Sequence, residues 1–253
     1  MRYAGIALVG LIAGCAATTG PRLTTSGMPV CPRAVVVVID GAGGTAVTST
    51  SLDQVVREQR LPLAVVAYDW SHGWGRFISD QVNDGNLDRQ GEELARYLQK
   101  LRCDRPNLPV NLLVYSAGSG VAVRVGQHLP PDTLDKVVLL APAVSYQADL
   151  RPLLRSSRRG VDVYTSVRDR FYLGVGTGIV GPTGGGPSPA AGRYGFEPVV
   201  CGPDDAALYR ARLRHFPWGP EYCWTGNVGQ HGGGHEPAFL ATFVVPTFLD
   251  PAR

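Results

Sequence analysis

What this sequence lacks narrows its function before any motif is read. Its five cysteines include no C-x-x-C pair, the spacing from which zinc sites are commonly built. No H-E-x-x-H occurs, so the helical metalloprotease signature is absent. His231 and His235 stand four positions apart, but the glycines between them oppose the helix that would bring both rings onto one face. Neither a metal nor a cofactor is therefore expected. No strong charge of one sign builds up either: the formal net charge is +3. The basic residues are scattered apart from Arg155, Arg158 and Arg159, which read as a solvated loop ahead of a strand. Nucleic acid is accordingly not an expected partner. The chain has no internal repeat. The apolar run near its N-terminus, Ile6 to Ala13, is too short to cross a bilayer as a helix.

What is present fits one α/β domain. The chain has 253 residues, of which 44% are apolar, enough for a sizeable core. It opens "MRYAGIALVGLIAGC", with Arg2 ahead of the short apolar run. Ile12-Ala13-Gly14-Cys15 resembles the lipobox of bacterial lipoproteins. The resemblance implies that residues 1–14 are a signal peptide and that Cys15 carries lipid, so that the protein is anchored to a membrane rather than spanning it. Ala16, where an Asp would imply inner-membrane retention, implies the outer membrane of the cell envelope, facing the periplasm. Residues 15–32 are rich in Thr, Ser, Gly and Pro and read as a tether, so the globular domain is expected over residues 33–253. An even set of cysteines in an exported chain, Cys31, Cys103, Cys201 and Cys223, suggests two disulfides. Of the possible pairings, Cys201 with Cys223 and Cys31 with Cys103 is favoured, because the first pair is local and flanks one insertion.

Strand-like and helix-like segments alternate along the rest. "AVVVVIDGAGG", "LPLAVVAYDW", "PVNLLVYS", "LDKVVLLAPA" and "RGVDVYTSVRD" read as strands, and their continuous apolar runs suit strands buried on both faces. Leu94, Leu98 and Leu101 lie at helical spacing, and Ser51 with Gln54 is a candidate capping box. The pattern predicts a doubly wound, mostly parallel sheet flanked by helices. It breaks at residues 174–195, too rich in Gly and Pro for an internal element. This stretch opens a longer segment, residues 174–226, that reads as a lid or loop insertion. A helix from Pro237 to about Phe248 should kink or stop near Val245, because Pro246 lies inside it.

In a parallel sheet, reactive groups collect at the carboxyl ends of the strands. A serine that attacks a carbonyl needs a base, an acid that orients the base, and amides that hold the oxyanion. Ser116 lies between the strand "NLLVY" and the helix "GSGVAVRV". Tyr115-Ser116-Ala117-Gly118 resembles the nucleophile elbow of the α/β-hydrolase family, with Val114 where that family usually has glycine. Asp40-Gly41-Ala42-Gly43-Gly44 resembles its oxyanion loop, with Asp40 in place of a histidine. This turn carries neither G-x-G-x-x-G nor a P-loop, which sets nucleotide binding aside. Tyr68 to Gly75 resembles the family's D-x-R-G-x-G segment.

The resemblance implies site residues at matching positions: Ser116 as nucleophile and the amides of Ala42 and Ala117 as oxyanion donors. Asp169, just past its strand, is the expected acid in preference to Asp162 inside it. His231 is the expected base, with His235 as the alternative because it nearly abuts the last helix. Asp69 reads as a structural turn residue. Gly41, Trp70 and His72 are candidates for the substrate cleft, the aromatic residue having a buried plug as its alternative. His128 and His215 read as structural. The expected function is a serine hydrolase that acts on a small-molecule or lipid-like carboxylic ester through an acyl-enzyme. The alternative is a non-catalytic, hydrolase-like envelope lipoprotein with a binding or structural role, to which Val114 and Asp40 would point.

Overall fold

The β-branched run Ala34–Ile39 forms β2, and every residue of it is buried. It pairs in parallel with β3 (Leu63–Asp69) on one side and β4 (Val110–Tyr115) on the other. β5 (Val137–Leu140), β6 (Val161–Thr165) and β7 (Leu213–Pro217) extend the sheet in the same direction. The computed structural model describes residues 22–25, 31–169, 183 and 188–250. Among these, a seven-stranded sheet runs in the order β1-β3-β2-β4-β5-β6-β7. Its one antiparallel member is β1 (Arg22–Thr25), paired to the outer edge of β3.

Helices cover both faces, because alternate strand residues are apolar on both sides. Val35, Val37 and Ile39 pack in one layer with α3 (Asp84–Asp104), α4 (Gly118–His128) and α5 (Arg151–Ser156). Ala34, Val36 and Val38 pack in the other with α1 (Val47–Glu58) and the C-terminal helical segment. This is the expected doubly wound α/β architecture. Among the described residues, no helix is long and apolar enough to cross a membrane.

Local details depart from the sequence reading. Helix α1 begins at Val47, so Ser51 is interior and no capping box forms there. Its first turn is capped from outside: the Asp40 carboxylate accepts the amides of Thr48 at 2.7 Å and Ser49 at 3.3 Å. Residues 22–25, expected in the tether, are an edge strand. The segment 174–226 is not one insertion, since it holds helix Pro203–Arg212 and then β7 of the sheet. The strand was hidden because Arg214 and His215 are exposed on an edge, where no apolar run is required. Residues 174–182 and 184–187 of the expected lid lie outside the described residues, as do residues 1–21.

Of the two outcomes expected near Val245, a kink or a stop, the C-terminal helix shows an irregularity rather than an end. It runs from Pro237–Phe239 through a π turn, Leu240–Val244, into Val245–Leu249. Pro246 has no amide hydrogen, and the wider turn preceding it absorbs the missing bond.

Neither expected disulfide is formed: Cys31, Cys103, Cys201 and Cys223 are all free and exposed. For one pair the reason is topological. Cys201 sits beside α5, where Arg151 donates to its sulfur at 3.1 Å. Cys223 follows Tyr222, which packs in the apolar layer on the opposite face of the sheet.

Candidate active site

The chain leaves β2 towards β3 on one side and returns to β4 on the other. The loops after β2 and β4 therefore diverge and open a crevice at the carboxyl edge of the sheet. Gly41–Gly44 follows one of these strands and Ser116 the other. Ser116 has φ 51°, a left-handed backbone that costs a non-glycine residue about 1 kcal/mol or more. Hydrogen bonds hold it there. Its amide donates to Leu140 O at 3.0 Å, and its carbonyl accepts Ser119 N–H and O–H at 3.1 and 2.6 Å and Ala143 N–H at 3.1 Å. This is a sharp strand-to-helix elbow at the head of α4.

The two positions flanking the elbow behave differently. A Cβ on Gly118 would lie 2.6 Å from Asp40 O and 2.7 Å from Ile39 O, so the helix can approach β2 only without a side chain. Val114 is fully buried, and its side chain belongs to the apolar layer between the sheet and α3–α5. The room that a glycine would provide is thus made by the packing of that layer. Gly118→Ala is expected to destabilise the protein by about 1–3 kcal/mol through overpacking against rigid backbone, measured by thermal unfolding.

His231 reaches Ser116 from the far side of the sheet. It opens a 3-10 turn, His231–His235, and its Nε2 lies 2.9 Å from Ser116 Oγ. Its Nδ1 is hydrogen-bonded to Asp169 Oδ2. Asp169 is 2% exposed and sits in the turn after β6. With the carboxylate as acceptor, Nδ1 carries the hydrogen and Nε2 is free to accept from the serine. Two further contacts fix the histidine loop. Tyr115 O–H donates to His231 O at 3.3 Å, and Ser166 Oγ, beside Asp169, donates to Gly229 O at 2.7 Å.

The loop after β2 lies over the elbow. A Cβ on Gly41 would sit 3.4 Å from Ser116 Cβ and 3.2 Å from the Tyr115 ring. Gly43 and Gly44 have φ 81° and 64°, conformations open to glycine. Ala42 is partly buried in this loop, and Ala117 stands at the head of α4, where amides have no intrahelical partner. The Asp40 side chain points away into α1, and burial pushes its carboxyl above the usual range despite the amides it accepts.

A model of the family described as Serine aminopeptidase, S33, matches residues 30–168, more than half of the chain. The chain belongs to this family. It is an α/β hydrolase, and solved structures agree in fold. LpqC, a poly(3-hydroxybutyrate) depolymerase from Bordetella parapertussis, is 15% identical, with a TM-score of 0.52 over 88% of this chain and 85% of that one. An uncharacterized protein from Bacillus cereus ATCC 10987 is 12% identical, with a TM-score of 0.50 over 96% of this chain and 66% of that one. No curated protein matches the chain by sequence.

The matched span of this S33-family chain ends just before Asp169, so the histidine loop falls outside it. Of the two aspartates considered, Asp162 lies within β6, 1% exposed, bound by Lys136 Nζ at 2.6 Å and Arg214 Nε at 2.7 Å. Burial pulls the Lys136 ammonium down to about 8, the neighbouring Asp162 opposing that shift. His235 does not reach Ser116 by a hydrogen bond. Its ring packs edge-on to Tyr115 at 5.2 Å, its buried Nδ1 has no partner, and burial lowers its basicity.

Trp70 does not line the cleft. It is 2% exposed beneath the oxyanion-type loop, and its Nε1 donates to Asp40 O at 2.8 Å. His72 is tied to Asp80 through Nδ1 at 2.7 Å. The apolar residues exposed beside the loop are instead Trp74, Phe77 and Ile78, and the Phe77 ring lies against Gly43. Sequence reasoning missed these and Asp80. The only available signal was large apolar residues, Trp74, Phe77 and Ile78, interspersed with Gly75 and Arg76 in a segment with no clear strand or helix period.

Proposed function

We propose that this protein is a serine hydrolase that cleaves carboxylic esters through an acyl-enzyme. The observation that carries the reading is the single line of hydrogen bonds from Asp169 through His231 to Ser116. Ser116 Oγ attacks the ester carbonyl as its proton passes to His231 Nε2, and Asp169 stabilises the resulting imidazolium. The oxyanion is held by the amides of Ala42 and Ala117. His231 then gives its proton to the departing alkoxide, leaving Ser116 acylated. Water, activated by the same histidine, hydrolyses the acyl-enzyme to release the acid and regenerate the serine.

Two features support an ester over a peptide N-terminus. Trp74, Phe77 and Ile78, 87%, 50% and 65% exposed, offer apolar surface beside the oxyanion loop for an acyl chain. The buried carboxylates at this edge, Asp40, Asp80 and Asp169, are committed to backbone amides, to Ser71 and His72, and to His231, so none of these three is available for a substrate ammonium. The features that would have pointed to a non-catalytic lipoprotein, Val114 and Asp40, each have a structural place. The proposal includes a lipid anchor at Cys15 that holds the enzyme at the envelope, on the outer membrane facing the periplasm.

Purified protein is expected to hydrolyse p-nitrophenyl esters, with kcat/KM rising from acetate to hexanoate, and to leave alanine p-nitroanilide intact. Cleavage of the anilide at comparable efficiency would overturn the ester assignment.

A further inference from the structure

A fully buried carboxylate bonded to the loop after β2 belongs to a residue with no part in the proton relay. Asp80, on the short helix α2 (Phe77–Val82), has no exposed surface. Its Oδ2 accepts Gly43 N–H at 2.7 Å and Ser71 O–H at 2.6 Å. Its Oδ1 accepts His72 N–H at 2.8 Å and the His72 ring at 2.7 Å. The histidine tautomer follows from its other side. Asn83 Oδ1 takes the Asn86 amide, which leaves the Asn83 NH2 to face His72 Nε2 at 3.3 Å. His72 Nδ1 therefore carries the hydrogen and donates to Asp80. Among the described residues, Asp80 meets donors only, on both oxygens.

These bonds bracket one peptide group. Upstream of Ala42, the Asp40 carbonyl is fixed by Trp70 Nε1. Downstream, Gly43 N–H is fixed by Asp80 and Gly43 C=O accepts Gly75 N–H at 3.3 Å. The Gly41–Ala42 peptide, whose N–H is the oxyanion donor of the proposed mechanism, lies between the two clamps. Gly41, Gly43 and Gly44 would otherwise let this loop take many conformations. An oxyanion donor acts only if it is aimed beforehand at the place where charge develops.

We infer that Asp80 is a positioning residue for the oxyanion site: by gripping Gly43 and the 71–73 turn together, it sets the direction of the Ala42 amide. This rests on the serine-hydrolase reading. Its effect falls on the transition state, where the oxyanion exists, and little on substrate binding. A carboxylate is required because the NH2 group of an amide would face two donors.

The test compares wild type with Asp80→Asn on a p-nitrophenyl ester and on the matching thionoester, alongside thermal unfolding. Oxyanion donors are placed for oxygen, and the longer C=S bond fits them poorly, so the ester-to-thionoester ratio of kcat/KM reports their alignment. Asp80→Asn is expected to lower ester kcat/KM by about tenfold or more, mostly in kcat, and to shrink that ratio. A general loss of stability would lower both substrates together. If Asp80→Asn does not fold, Ser71→Ala removes one of the donors and leaves the carboxylate; it should shift the same ratio in the same direction by a smaller factor. A folded variant with wild-type kcat and an unchanged ratio would overturn the inference while leaving the serine-hydrolase reading intact. Wild type that neither hydrolyses esters nor reacts with a fluorophosphonate would overturn both.

Discussion

Ser116→Ala is expected to abolish labelling by a fluorophosphonate and to lower ester kcat/KM by about 10⁵-fold or more. The substitution removes a single oxygen. The elbow does not depend on that oxygen: it is held by the backbone of Ser116, through Leu140, Ser119 and Ala143. The strained φ of 51° is retained by alanine, so the fold should survive. What disappears is the atom 2.9 Å from His231 Nε2. Stability should be unchanged or slightly higher, as is common when a strained functional site is simplified. Equal labelling of wild type and variant by the probe would show that another residue reacts and would sink the assignment.

The second large effect separates two histidines that the sequence leaves in competition. His231→Ala is expected to cost about 10⁴-fold or more in kcat/KM, because both the base and the link to Asp169 are lost. His235→Ala is expected to cost less than about tenfold, and chiefly to lower stability by about 1–2 kcal/mol. His235 packs against Tyr115, and Tyr115 in turn supports the His231 ring at 5.1 Å and donates to its carbonyl. Its role in this arrangement is therefore packing behind the base. Ester kinetics on the purified variants, with circular dichroism to verify folding, decide the matter. A ranking in which His235→Ala is the more damaging would exchange the two roles.

Much of this architecture was legible because its determinants are local. "AVVVVI" and "NLLVY" are apolar without alternation, and only strands covered on both faces tolerate that. The leucines at helical spacing in α3 mark its buried side. Chain order also placed Ser116 and Asp169 just past recognisable apolar runs, and His231 ahead of the last helix. By contrast, β7 carries its exposed Arg214 and His215 on a sheet edge, and β1 is short, so neither shows a buried period. The disulfides were inferred from an even count in an exported chain and from proximity along it, and neither carries information about which face of the sheet a cysteine occupies.

By itself the sequence determined the parallel sheet and the residues able to gather at its carboxyl edge. These rest on hydrophobic period and short motifs, which are properties of local segments. Tertiary structure alone decided which histidine meets Ser116, that Val114 is accommodated by an apolar layer, that Trp70 is a buried support rather than a cleft wall, and that Asp80 clamps the loop after β2. Each of those outcomes depends on contacts between segments far apart in the chain, such as the 37 positions between Gly43 and Asp80 or the 115 between Ser116 and His231. Distances of that kind are set by how helices and loops pack across the sheet, and no local pattern of residues encodes them.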